Sequence, residues 1–152
     1  MKVFIENKAN EAIKNFFDEV ALTYIESKPV SAPYPYPYGF VVNTLSGDGD
    51  CLDCFVLTDR LLQTGDTIEA EPLALMEMKE DGEIDHKVIA RLQGENRVLD
   101  DDAKEKIVNF IHEVFAHIAD KKMEVGQFLP KEKATECIAE TTKAALNRVT
   151  AG

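Results

Sequence analysis

Tyr34-Pro-Tyr-Pro-Tyr-Gly-Phe-Val-Val-Asn-Thr-Leu-Ser-Gly-Asp-Gly-Asp-Cys-Leu-Asp53 places three proline-spaced tyrosines ahead of three aspartates set among glycines. Asp48 and Asp50 are two residues apart, so extended backbone sends both carboxylates off one face, and a bend brings Asp53 to join them. Gly47 and Gly49 permit that bend and the close approach of a ligand. Carboxylates this close repel one another unless a cation sits among them. An all-oxygen donor set suits a hard ion such as Mg²⁺, Mn²⁺ or Ca²⁺. An EF-hand loop does not fit: counted from Asp48, the fifth, sixth and twelfth places hold Leu52, Asp53 and Asp59. A solvated acidic turn is the plain alternative, since Asp and Gly favour turns on their own.

Outward from this stretch the chain reads as short strands and tight turns. Lys2–Glu6 is a β-prone opening, and Cys54–Thr58 reads as a strand followed by a turn at Gln63-Thr-Gly-Asp66. Residues 67–78 form a long strand bent at Pro72. Lys79–Asp85 is an acidic turn, and His86–Leu92 returns with Val88, Ala90 and Leu92 on one face and Lys87 on the other. Such strands suggest a small closed or half-closed barrel. In residues 9–22 the apolar positions Ile13, Phe16, Phe17, Val20 and Ala21 follow helical spacing, with Asn10 as a candidate cap. After residue 99 the period changes. Asp100, Asp101 and Asp102 supply an N-cap and a favourable dipole ahead of Ile107, Phe110, Ile111, Val114, Phe115 and Ile118. A second helix runs from about Lys131 to Arg148, with Ala134, Ile138 and Ala145 inward.

The 152 residues read as one domain with the composition of a soluble globular protein. No apolar run approaches the ~18 residues of a membrane span, and the early charges do not make a signal peptide, so a cytoplasmic location is expected. A net charge of −11 disfavours nucleic-acid partners and repels anionic substrates unless metal and placed cations reverse the sign locally. Cys51 and Cys54 lack a second Cys or His pair at zinc spacing and read as small apolar fillers. The three histidines do not cluster and read as structural or exposed.

The stretch as a whole resembles the soluble family I inorganic pyrophosphatases. The resemblance is carried by Pro35-Tyr-Pro-Tyr-Gly-Phe40, Asn43-Thr-Leu-Ser46 and the D-x-D-x-x-D pattern of Asp48, Asp50 and Asp53. Leu62-Gln-Thr-Gly-Asp-Thr-Ile68 and Gly82-Glu-Ile-Asp-His-Lys-Val-Ile-Ala90 follow in the family's order. It implies an α+β fold, a five-stranded OB-like β-barrel flanked by two C-terminal helices, extended strands over residues 9–22 in conflict with their helical spacing, and metal-dependent hydrolysis of pyrophosphate to two phosphates. It further implies Asp48, Asp53 and Asp85 as ligands of the primary metals, Mg²⁺ (Mn²⁺ as a substitute), with Glu80 as a further ligand, Glu6 near the outer metals and Asp50 as general base. Lys87, Tyr38, Tyr34 and Lys14 are then the phosphate contacts, Tyr36 faces away, and a homo-oligomer is expected.

Four positions depart from that pattern. Glu80 stands where the family has Asp, with Asp81 beside it as another candidate. Glu26 falls where the family places an arginine, and no arginine precedes Arg60; Lys28 can replace the charge but not the bidentate fork. Val114 and Phe115 occupy the places of a Tyr-Lys pair that reaches phosphate, leaving Lys121 or Lys122 to compensate. The metal half of the site is complete and the phosphate half is short of cations, which leaves a non-catalytic binder of metal or a phosphorylated ligand as the alternative.

Overall fold

A computed structural model describes residues 1–151. The elements in chain order are β1 (Lys2–Asn7), β2 (Ile13–Asp18), β3 (Thr23–Pro29), β4 (Tyr38–Val41), β5 (Asp53–Leu57), β6 (Thr67–Glu80), β7 (Glu83–Ile84), β8 (Lys87–Leu92), α1 (Asp101–Glu113), β9 (Met123–Pro130) and α2 (Lys131–Ala151). Strands β1, β4, β5, β8 and β6 pair in that order, and β6 pairs back onto β1, so five strands close a ring. The closure is uneven: β6 meets β1 through Lys2↔Glu69, Val3↔Ile68 and Phe4↔Thr67 alone. This is the expected small OB-like barrel with two C-terminal helices, extended along β6 by β7 and β9.

Side-chain alternation divides the interior. Cys54 and Val56 of β5 join Val3, Ile5, Val41, Ala70, Leu75, Val88, Ala90 and Leu92 in a cluster drawn from all five ring strands. Phe55 and Leu57 point the other way, into a second cluster with Tyr34, Tyr38, Met76, Ile89 and the α1 residues Ile107, Phe110 and Ile111. Helix α1 starts where the triple aspartate predicts: the Asp100 carboxylate accepts the Ala103 N–H at 2.9 Å. It ends at Glu113, one turn before the apolar pattern does, and Ile118 is exposed beyond it. The long strand β6 shifts register between Pro72 and Ala74, at the expected bend.

The helical spacing in residues 9–22 does not produce a helix. Residues 13–18 are strand β2, hairpinned to β3, and Asn10 adopts φ 69° in the preceding turn rather than capping a helix. Tertiary contacts override the local period. Phe17 packs edge-on against Phe4 at 4.9 Å, and the Asn15 backbone N–H donates to Asn7 Oδ1 at 2.8 Å.

Gly39 explains its place in the tyrosine segment. A Cβ there would stand 1.7 Å from the Phe4 carbonyl oxygen, so β4 lies against β1 only without a side chain at that position.

Candidate active site

Strand register builds the centre of the site. Strands β5 and β8 run parallel with Cys54 opposite Val88, which sets Asp53 beside Lys87 on the face away from the ring interior. Tyr38 lies opposite Phe55 across β4 and β5, with the rings 4.8 Å apart, and so shares that face. The Lys87 ammonium is buried there and donates to Asp53 Oδ2 (2.9 Å), Asp85 Oδ2 (3.1 Å) and the Tyr38 hydroxyl (3.0 Å). Asp85 and Lys87 reach one point, as their two-residue spacing predicts.

Asp48 and Asp50 come together by a different route from the one their spacing suggests. They lie in a turn, not extended backbone: the Ser46 N–H donates to the Asp50 carbonyl at 2.7 Å, and Asp50 N–H donates to Asp48 Oδ1 at 3.0 Å. Gly49 makes the turn possible at φ 90°. The tip of the β2–β3 hairpin then closes on this loop, where Glu19 Oε1 accepts the Cys51 N–H at 2.9 Å.

One cavity of about 420 Å³ is lined by every sequence-derived site residue: Glu6, Lys14, Tyr34, Tyr38, Asp48, Asp50, Asp53, Glu80, Asp85 and Lys87. Tyr36 is absent from the lining; it is buried, and Arg97 sits 5.7 Å from its ring centroid. Asp81 is also absent. Its Oδ1 accepts the Lys122 N–H and Lys121 pairs with its other oxygen, so Glu80 is the carboxylate that faces the cavity.

The carboxylates carry the electrostatic mark of their crowding. Burial, then Asp53 and Glu19, push Glu6 up to about 8. Burial is also the leading cause at Glu19, raised to about 7 with Asp50, Asp53 and Asp48 adding to it. Asp85 rises to about 6 because burial outweighs the opposing pull of Lys87. Asp50 is raised by burial and then by Asp48 and Asp53. For Lys87 burial works the other way, but Asp53 and Asp85 outweigh it and hold the ammonium firmly protonated.

The carboxylates of the cavity suit a hard divalent cation by donor chemistry, since all of them offer oxygen ligands. Among the described residues no three potential ligands are gathered closely enough to hold an ion. The Lys87 ammonium occupies the space between Asp53 and Asp85 instead.

Sequence reading missed several lining residues. Glu19, Phe16 and Phe17 were hidden by the helical period of their segment; only the hairpin brings them over the site. Arg148, from the last turns of α2, reaches the cavity from a part of the chain that carried no site signal. The hairpin also places Lys28, not Glu26, directly opposite Lys14. Cys54 is buried and Cys51 half-buried, both free and both with thiols raised by burial, as apolar fillers are. His86 Nδ1 accepts the Met78 N–H and His117 Nδ1 meets the Ser31 hydroxyl, both away from the cavity.

Comparison with known proteins agrees with this geometry. The family described as inorganic pyrophosphatase matches residues 3–146. The inorganic pyrophosphatase of Halalkalibacterium halodurans is 31% identical over 150 residues, covering 92% of this chain and 91% of that one. That of Nostoc sp. is 37% identical over 106 residues, and that of Mycoplasma pneumoniae 35% over 91. The matched segments span about half the length of these two relatives, 57% and 46%. Among solved structures, the Helicobacter pylori inorganic pyrophosphatase superposes with a TM-score of 0.82 at 28% identity, over 96% of this chain and 93% of that one. The Thermus thermophilus inorganic pyrophosphatase reaches 0.86 at 25% identity, over 95% and 90%. With the ring of strands, the aspartate turn and the Lys87 centre all in place, the chain belongs to the inorganic pyrophosphatase family.

Proposed function

We propose that this protein hydrolyses inorganic pyrophosphate to two phosphates with bound divalent metal, Mg²⁺ foremost and Mn²⁺ as a substitute. The observation that carries this reading is the convergence of six candidate carboxylates with Lys14, Lys87, Tyr34 and Tyr38 on one cavity. Asp48, Asp53, Asp85 and Glu80 would hold the metals, with Glu6 at the outer side. When bound, the metals make water acidic enough to attack and absorb charge on the departing phosphate.

The protein's own groups do the rest. Asp50 accepts the attacking water's proton on its carboxylate, a task that its raised proton affinity favours. The Lys87 ammonium and the Tyr38 hydroxyl donate hydrogen bonds to phosphate oxygens, and Lys14 adds positive charge from the hairpin. Tyr34, its hydroxyl kept protonated by burial, is a further donor. Phosphoryl transfer needs little more than such positioning and charge. Pyrophosphate is the partner and the cytoplasm the expected location; no described helix is long and apolar enough to cross a membrane. A homo-oligomer with no nucleic-acid partner completes the reading.

The test is Mg²⁺-dependent phosphate release from pyrophosphate, with Asp50→Asn as the comparison. Loss of the base lowers kcat by about 100-fold or more. Release that is indifferent to the substitution refutes the assignment. The apolar Val114 and Phe115 in the cavity wall favour one other outcome, metal binding without turnover, which marks a non-catalytic binder.

A further inference from the structure

Three lysines and two aromatic rings alternate in a row whose middle members, Phe16, Lys14 and Phe115, line the cavity. The Lys28 ammonium lies 5.5 Å from the centroid of the Phe16 ring. Lys14 lies 5.1 Å from that ring and 5.2 Å from the ring of Phe115. Lys121 lies 5.3 Å from Phe115 on its own account. The order follows from the fold. Hairpin register sets Lys14 opposite Lys28, Phe16 follows Lys14 on the same face of β2, and Phe115 and Lys121 come from the segment between α1 and β9.

The outer two lysines have carboxylate partners: Lys28 has Glu26 at 3.5 Å, and Lys121 has Glu80 at 2.8 Å and Asp81 at 3.3 Å. Lys14 makes no close ion pair among the described residues; two ring faces lie against it, and Glu6 and Asp50 attract it at longer range. The negative face of an aromatic ring attracts an ammonium within about 6 Å, and a ring between two ammoniums offsets their repulsion. Lys14, Phe16 and Phe115 line the same cavity as the carboxylates.

We propose that Phe115, together with Phe16, is a positioning residue that holds Lys14 in the cavity as a phosphate-binding cation. An aromatic ring thereby restores, at the position of Phe115, positive charge that it does not itself carry. The inference rests on the pyrophosphatase reading, and the experiment separates the two.

Phe115→Leu keeps apolar bulk and removes the ring face, and it is made with and without Lys14→Met. With Lys14 present, Phe115→Leu raises KM for magnesium pyrophosphate about five-fold, within the range of a cation–π contact, and leaves kcat within about two-fold. With Lys14→Met in place, the same change leaves KM where Lys14→Met alone put it. Phe115→Trp keeps the wild-type KM. An equal KM rise in both backgrounds, or no rise in either, overturns the proposal, because a merely structural Phe115 gives that result. Calorimetric binding of magnesium methylenediphosphonate to the wild type, the two single variants Phe115→Leu and Lys14→Met and their double variant supplies an independent readout. A Kd that Phe115→Leu weakens only when Lys14 is present upholds the clamp even if no phosphate is released, in which case hydrolysis alone fails. No binding to the wild type overturns both.

Discussion

Replacing Lys87 with methionine tests whether one buried ammonium neutralises the centre of the site in the metal-free protein. Lys87 is 5% exposed and has carboxylate oxygens at 2.9 and 3.1 Å. At an effective dielectric of about 20, each contact is worth roughly 5 kcal/mol of attraction, set against the cost of taking the charges out of water. Deleting one partner of such a buried group removes the attraction and leaves the carboxylates facing each other, at a cost of about 3–5 kcal/mol. For a chain of this size about 2–4 °C of Tm accompanies each kcal/mol, so Lys87→Met lowers the metal-free Tm by about 10 °C. The assay is thermal denaturation followed by circular dichroism in excess chelator and again with Mg²⁺. Added Mg²⁺ raises Tm more in the variant than in the wild type, since a bound cation would supply the positive charge that the substitution removes. A metal-free Tm within about 2 °C of wild type refutes the reasoning, because it means that Lys87 contributes nothing net.

Two further predictions concern the fold and pH. Gly39→Ala places a Cβ at 1.7 Å from the Phe4 carbonyl oxygen, a clash with backbone that only separation of β4 from β1 relieves. It costs about 4 kcal/mol or more, and a wild-type Tm for that variant contradicts the β1–β4 register. Glu6, Glu19 and Asp85 carry folded values of about 8, 7 and 6, above their ordinary values of 4.5, 4.5 and 3.8. Groups raised on folding contribute stability that is complete below those ordinary values and is lost as pH rises through the raised ones. The metal-free protein therefore melts lower at a pH of about 8.5 than at about 5.5, and Glu6→Gln with Glu19→Gln flattens the difference. A metal-free Tm that climbs over that interval is the contrary result.

Much of the site was legible in the one-dimensional pattern, because its chemistry depends on short spacings. The three aspartates within six residues, the Asp85–Lys87 pair and two of the three proline-spaced tyrosines, Tyr34 and Tyr38, all converge on the cavity. Their proximity needs only a turn or one strand's alternation. The N-cap of α1 and the bend of β6 at Pro72 are local in the same sense.

The residues missed belong to segments whose conformation the rest of the molecule decides. Phe16, Phe17 and Glu19 follow a helical period, yet lie on a hairpin whose faces are chosen by Phe4, Asn7 and the aspartate loop. Arg148 enters the cavity only because α2 packs back across the barrel and carries Thr141, whose carbonyl accepts the Leu45 N–H, to the start of that loop. The sequence by itself determined the crowding of the carboxylates, the alternating hydrophobic faces of the strands and, through resemblance, the family. Tertiary structure decided the parallel β5–β8 register that sets Lys87 against Asp53, and it decided the lysine–aromatic row at the cavity. The physical reason is the range of the interactions. Capping, turn chemistry and alternation act over a few residues, whereas pairing and ring stacking join residues 34 to more than 100 positions apart, from Asp53–Lys87 to Lys14–Phe115.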